Sequence, residues 1–199
     1  MKKMTLLLLL YSLAPACIEL RIDDDGSRDL GVGALQYIKP FDLADTGIDR
    51  PASKSGDIVF AETDAAKLKQ QLHLGKKTWV YVWGSWCSPC RQKLPFIAQV
   101  HRDYPEWNIL PVADDYDIAE LQALLFSSQL LVQPYILDFR KYGTRIYEKE
   151  RQLWNELALG GEYHNAVPQN YLFDETGKLL YYGPGAIPVE IMKRYFTDR

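Results

Sequence analysis

Trp79-Val80-Tyr81-Val82-Trp83-Gly84-Ser85-Trp86-Cys87-Ser88-Pro89-Cys90-Arg91-Gln92-Lys93-Leu94-Pro95 is the stretch that decides the fold. Its first five residues are β-branched or aromatic and free of Gly and Pro, the composition of a buried strand. Gly84 ends that run, and Leu94, Ile97, Ala98 and His101 then recur at helical spacing. A Cys-x-x-Cys pair at the junction of a strand and a helix forms a dithiol/disulfide site. Attack on a disulfide needs the thiolate, and the partial positive charge of a helix N-terminus favours that form. Cys87, at the exposed start of the turn, is therefore expected to be the nucleophile. Cys90, one turn deeper, is expected to resolve the mixed disulfide. Pro89 suits the first helical turn, where its missing N–H is not needed.

With the Trp before the first Cys, the basic residue after the second and Pro95 beyond, this stretch resembles the thioredoxin superfamily. The resemblance is to its exported branch of TlpA/ResA-like thiol–disulfide oxidoreductases. A second patch, Asn165-Ala166-Val167-Pro168-Gln169-Asn170-Tyr171-Leu172-Phe173-Asp174-Glu175-Thr176-Gly177-Lys178, resembles that family's cis-proline strand and the hairpin after it. The likeness runs from about residue 41 to the C-terminus. It implies an α/β, thioredoxin-like fold: a central mixed sheet flanked by helices, here with a helical insertion before the cis-Pro strand. It further implies that Cys87 and Cys90 form a redox-active disulfide, that Trp86 and Pro168 flank the sulfurs, and that the Val167 backbone pairs with a bound peptide. Protein disulfides or dithiols would be the substrates, a membrane protein the electron donor, and no cofactor is required.

Two departures bear on proton handling. Many thioredoxins bury a carboxylate where this chain has Tyr81, and exported relatives often carry an acid where it has Lys93. Neither familiar proton acceptor is therefore present. Lys93 reads either as a solvated helix residue or as a cation that lowers the Cys87 pKa. Ser88-Pro89 does not declare a direction of electron flow. The family analogy leans towards a reductant, in cytochrome c maturation or in repair of extracytoplasmic disulfides.

A chain of 199 residues suits one domain with an adequate core. Its net charge of −3 argues against nucleic acid, which calls for a basic surface. No apolar run is long enough to span a membrane as a mature helix. Residues 1–16 read as a signal peptide: Lys2 and Lys3, an apolar core from Leu6 to Leu13, and Ala14-Pro15-Ala16 as a small-residue exit. Cys17 follows at once and has two readings, lipoprotein acylation or ordinary cleavage beside an unmodified thiol. Ala14 and Pro15 depart from the usual lipobox, yet acylation would remove an unpaired thiol from an oxidising compartment. The implied location is the bacterial periplasm or cell envelope, with a lipid anchor through Cys17 on the first reading.

Residues 17–40, with Asp23-Asp24-Asp25-Gly26-Ser27, read as a tether, and 41–199 as the thioredoxin-like domain. The segment from Phe41 to Asp57 resembles the family's small N-terminal hairpin. A helix is expected from Asp64 to Leu74 with Gly75 as its stop, strands at 108–113 and 134–138, and a helix from Ile118 to about Leu130. The insertion, about 139–164, holds an expected helix from Thr144 to Leu159 ended by Gly160-Gly161. Its apolar stripe, Tyr147, Leu153, Trp154 and Leu157, either packs on the domain or forms a lid or docking surface by the active site. Strands at 169–173 and 178–182 and a closing helix at about 188–196 complete the pattern.

Other chemistries fit less well. A structural zinc site wants four ligands, and His73, His101 and His164 are scattered away from the one Cys pair, so no metal site is assigned. Copper or haem delivery lacks a Cys-x-x-Cys-His or Met-rich tract. A binding or scaffold module, with the insertion recruiting a partner, is the main alternative to an enzyme, but a scaffold gains nothing from a reactive dithiol.

Overall fold

The computed structural model describes residues 32–185 together with 187, 191, 192, 194 and 195. The expected signal peptide, Cys17 and most of the expected tether lie outside the described residues. Among the described residues the strands are β1 (Ile38–Lys39), β2 (Phe60–Thr63), β3 (Thr78–Trp83), β4 (Asn108–Ala113), β5 (Tyr135–Leu137), β6 (Gln169–Phe173) and β7 (Leu179–Pro184). The helices are α1 (Ala65–Leu72), α2 (Ser88–Asp103), α3 (Ile118–Ser128), α4 (Phe139–Tyr142) and α5 (Glu148–Leu157). The strands form one mixed sheet in the order β1-β2-β5-β4-β3-β6-β7. β1 to β5 run parallel, and β6 and β7 join antiparallel to β3 and to each other.

β3 lies between β4 and β6 and is buried along its whole length, as a central strand covered on both faces must be. Its alternation sends Trp79, Tyr81 and Trp83 into one core and Val80 and Val82 into the other. The first core is completed by Leu94 and Ile97 of α2 and Leu121 and Leu125 of α3. The second is completed by Leu68 and Leu72 of α1 and Leu153, Trp154 and Leu157 of α5. The sheet is thus sandwiched between two helical layers, the mixed α/β architecture that the sequence implies.

Several boundaries differ from expectation, for local reasons. Between residues 41 and 57 there are short 3-10 turns at Leu43–Asp45 and Ser55–Asp57 in place of a hairpin. Pro40 and Pro51 supply no N–H for a ladder there. The edge strand β1 comes instead from the end of the expected tether, pairing Ile38 with Phe60. α1 is capped by the Asp64 carboxylate, which accepts from the Lys67 N–H, but it stops at Leu72 rather than at Gly75. The segment between β5 and β6 folds as two short helices instead of one from Thr144 to Leu159. Tyr147 and Ala158 adopt left-handed backbone conformations (φ 69° and 55°), which an α-helix cannot continue through, and so bound α5 on both sides.

Candidate active site

The carboxyl ends of β3 and β4 lie side by side, joined by the Asp114 N–H donating to the Trp83 carbonyl at 2.8 Å. The loop Gly84-Ser85-Trp86-Cys87 therefore faces the loop Asp114-Asp115-Tyr116. Cys87 is the N-cap of α2, with Pro89 in the first turn. Its sulfur accepts the Cys90 N–H at 3.2 Å and is bonded to the Cys90 sulfur at 2.06 Å. Cys87 is buried, at 4% exposure, and not exposed as the turn position suggests. The Val167 carbonyl oxygen lies 3.5 Å from its sulfur, while the open surface passes to Trp86, Ser88 and Pro89. The Val167–Pro168 peptide bond is cis, and β6 begins at the next residue, Gln169. The structure thus brings Cys87, Cys90, Pro89 and Val167 together, with Trp86 beside Cys87 and Pro168 beside Val167 in the chain.

Tyr81, at the position of the familiar buried acid, donates its hydroxyl to the Cys90 carbonyl at 3.1 Å. Burial pushes that phenol well up, so it acts as a fixed neutral donor that ties α2 to β3. Lys93 is half-buried and holds its ammonium 4.7 Å over the Phe96 ring. The histidines lie apart. His73 caps α1, His101 bonds Asp49 at 2.6 Å, and His164 stacks on Tyr182.

The carboxylates near the site were not legible as such in the sequence. Asp115, buried behind the loop, accepts the Ser85 N–H, the Ser85 hydroxyl at 3.2 Å and the Asp117 N–H at 3.0 Å. Burial and the neighbouring Asp114 charge raise its pKa to about 6, against the pull of those donors. Asp114 is fully buried, with the Glu150 carboxyl of α5 adjoining it and the Trp86 indole nitrogen alongside. Burial above all, then the Glu150 charge, raises its pKa well above the ordinary carboxylate range. A Cβ at position 84 would collide with the Asp114 carboxyl and the Trp86 indole, so only glycine lets these groups close over the loop. A signal did exist in Asp114-Asp115 following directly on a buried strand, but the partner Glu150 sits in a charged run that reads as solvent-facing.

The apolar stripe of the β5–β6 segment divides. Leu153, Trp154 and Leu157 pack into the core. Tyr147 instead stays 37% exposed and meets the Trp86 ring edge-on, with centroids 6.1 Å apart.

No family model matches the chain. Over 125 residues it is 25% identical to the thiol-disulfide oxidoreductase ResA of Bacillus cereus, an alignment covering 62% of this chain and 64% of that protein. It is 21% identical to ResA of Geobacillus thermodenitrificans over 147 residues, covering 73% and 76% of the two. A crystal structure of a thiol:disulfide interchange protein from Chlorobium tepidum, described as of the thioredoxin family, superposes with a TM-score of 0.50 at 15% identity. That superposition covers 65% of this chain and 82% of that one. The chain therefore has the thioredoxin-like fold and, in sequence, is similar to thiol–disulfide oxidoreductases of the ResA type.

Proposed function

We propose that this protein is an extracytoplasmic thiol–disulfide oxidoreductase that reduces protein disulfides with the Cys87–Cys90 pair. The observation that carries the reading is the placement of the Cys87 sulfur. It caps a helix, receives the Cys90 N–H and closes a disulfide with Cys90. In the reduced protein the same N–H and the helix end stabilise a Cys87 thiolate. That thiolate attacks a substrate disulfide, forming a Cys87–substrate bond and expelling one substrate thiolate, which takes a proton. The Cys90 thiolate then attacks the Cys87 sulfur, the mixed disulfide breaks, and the second substrate sulfur leaves reduced. Two electrons pass to the substrate and the Cys87–Cys90 bond forms, so a dithiol donor must restore the enzyme. The Val167 carbonyl, held at the sulfur, is placed to accept an N–H from an extended substrate backbone. The similarity to ResA proteins supports the same reading, and the apolar segment behind Lys2 and Lys3 supports export.

An insulin-reduction assay with dithiothreitol as donor tests this. The wild type accelerates turbidity, Cys87→Ser abolishes the acceleration, and Cys90→Ser accumulates a mixed disulfide seen on non-reducing gels. Equal activity in wild type and Cys87→Ser would overturn the assignment and leave the scaffold reading.

A further inference from the structure

Asp114 and Glu150 are fully buried, and none of their four carboxyl oxygens has a donor in full hydrogen-bond geometry, although the Trp86 indole N–H lies beside Asp114 and favours its charged form. Two ionised carboxylates cannot satisfy each other, and leaving both unpaired in the interior is costly. One proton held between them resolves both problems, since it neutralises one charge and supplies the missing hydrogen bond. Their positions give that proton leverage. Asp114 follows β4 and lies against Gly84 and the Trp86 indole. Glu150 is in the first turn of α5, whose preceding residue Tyr147 is held in a left-handed conformation with its ring on Trp86. A non-glycine residue in that region costs on the order of 1 kcal/mol, so the surrounding contacts must impose it.

We propose that Asp114 and Glu150 share a single proton and that this acid pair positions Trp86, and through it the Cys87 sulfur, by fastening the start of α5 over the redox loop. Both carboxylates act through Trp86 and are positioning residues. The inference rests on the redox reading for its consequence but not for the proton itself. Other groups also face the pair. Asp115 and Tyr116 come from the β4–α3 connection, Lys149 from α5, Tyr163 from the segment after it and Tyr171 from β6; Asp138, before α4, acts on Tyr116. Lys149 is buried, with its ammonium 5.1 Å over the Tyr116 ring and donating to the Thr144 carbonyl at 3.3 Å. With the proton in place, this cation balances the remaining charge of the pair. When the proton leaves, Lys149 faces two carboxylates, their repulsion drives water between α5 and the loop, and Trp86 is released.

Two measurements test this. Infrared spectra of the oxidised wild-type protein at neutral pH should contain a protonated-carboxyl band that disappears in Glu150→Gln and in Asp114→Asn. In the reduced protein, the rate of Cys87 alkylation by iodoacetamide should show two inflections with pH, one from the thiolate and one from the pair. Glu150→Gln, whose amide donates to Asp114 at every pH, should leave one inflection. Glu150→Ala, with no tie at all, should be alkylated roughly tenfold faster than the wild type at neutral pH, the ratio that corresponds to one pK unit of coupling. A wild-type spectrum without a protonated carboxyl, or superimposable alkylation profiles in wild type and Glu150→Gln, overturns the proposal. Loss of insulin reduction in the wild type would instead overturn the redox reading, whatever the carboxyl band shows.

Discussion

Asp115 illustrates how a single carboxyl holds the redox loop at a cost in stability that depends on pH. It binds the Ser85 N–H and hydroxyl, yet burial and Asp114 lift its pKa to about 6. An unfolded Asp titrates near 3.9, so between about pH 4 and 6 the native state binds more protons than the unfolded one. Stability from this residue is therefore greatest at acid pH, falls as pH rises through that window, and is flat above it. The full difference is on the order of 3 kcal/mol. Urea unfolding should show this decline in the wild type and a decline smaller by about that amount in Asp115→Asn; equal declines would contradict the burial argument. Little of this carboxylate chemistry could be read from the chain. Cys87 and Cys90 are legible because their relation is local, fixed by one helical turn. Asp114 and Glu150 look like solvated acids until two distant segments fold together. Tyr81 and Lys93 suggested that proton-handling groups were missing, whereas the buried acids lie on a neighbouring loop and on α5.

At the scale of elements, α5 joins the second core to the redox loop. Leu153 is fully buried against the sheet, and Trp154 lies 4.2 Å, centroid to centroid, from Tyr182 of β7. Leu153→Ala should cost about 2–5 kcal/mol of global stability, the range for a buried leucine that leaves a cavity. A urea-unfolding difference below about 0.5 kcal/mol would show that α5 is not part of the cooperative core. β3 and α2 were predictable because β3 is a continuous run of β-branched and aromatic residues and α2 repeats its apolar residues at helical spacing. The limits of α5 were not, since Tyr147 and Ala158 carry no sequence mark of a left-handed conformation, unlike the glycines that were expected to end it. The edge strand β1 is only Ile38–Lys39, too short to show a period, and the hairpin expected after it gave way to 3-10 turns at Leu43–Asp45 and Ser55–Asp57.

For the whole molecule, one sheet with helices on both faces brings the start of α2, the cis-proline loop and the start of α5 to one place. This architecture was expected from the family resemblance of the Cys87–Cys90 stretch and the Val167-Pro168 patch, and the alternation of strands and helices through β5 agrees with it, because parallel neighbours require crossover helices. How the protein is held in the cell rests on the N-terminal sequence. If Cys17 is acylated after export, palmitate should label the wild type and not Cys17→Ala; no label on the wild type would remove the lipid anchor. The most direct test of the central claim is equilibration of the Cys87–Cys90 pair in dithiothreitol redox buffers, with the reduced fraction counted by thiol labelling. One reversible two-electron transition is expected in the reducing range of thioredoxin, about −270 mV. A pair that never closes, or one that titrates near the about −120 mV of a strong disulfide donor, would contradict it.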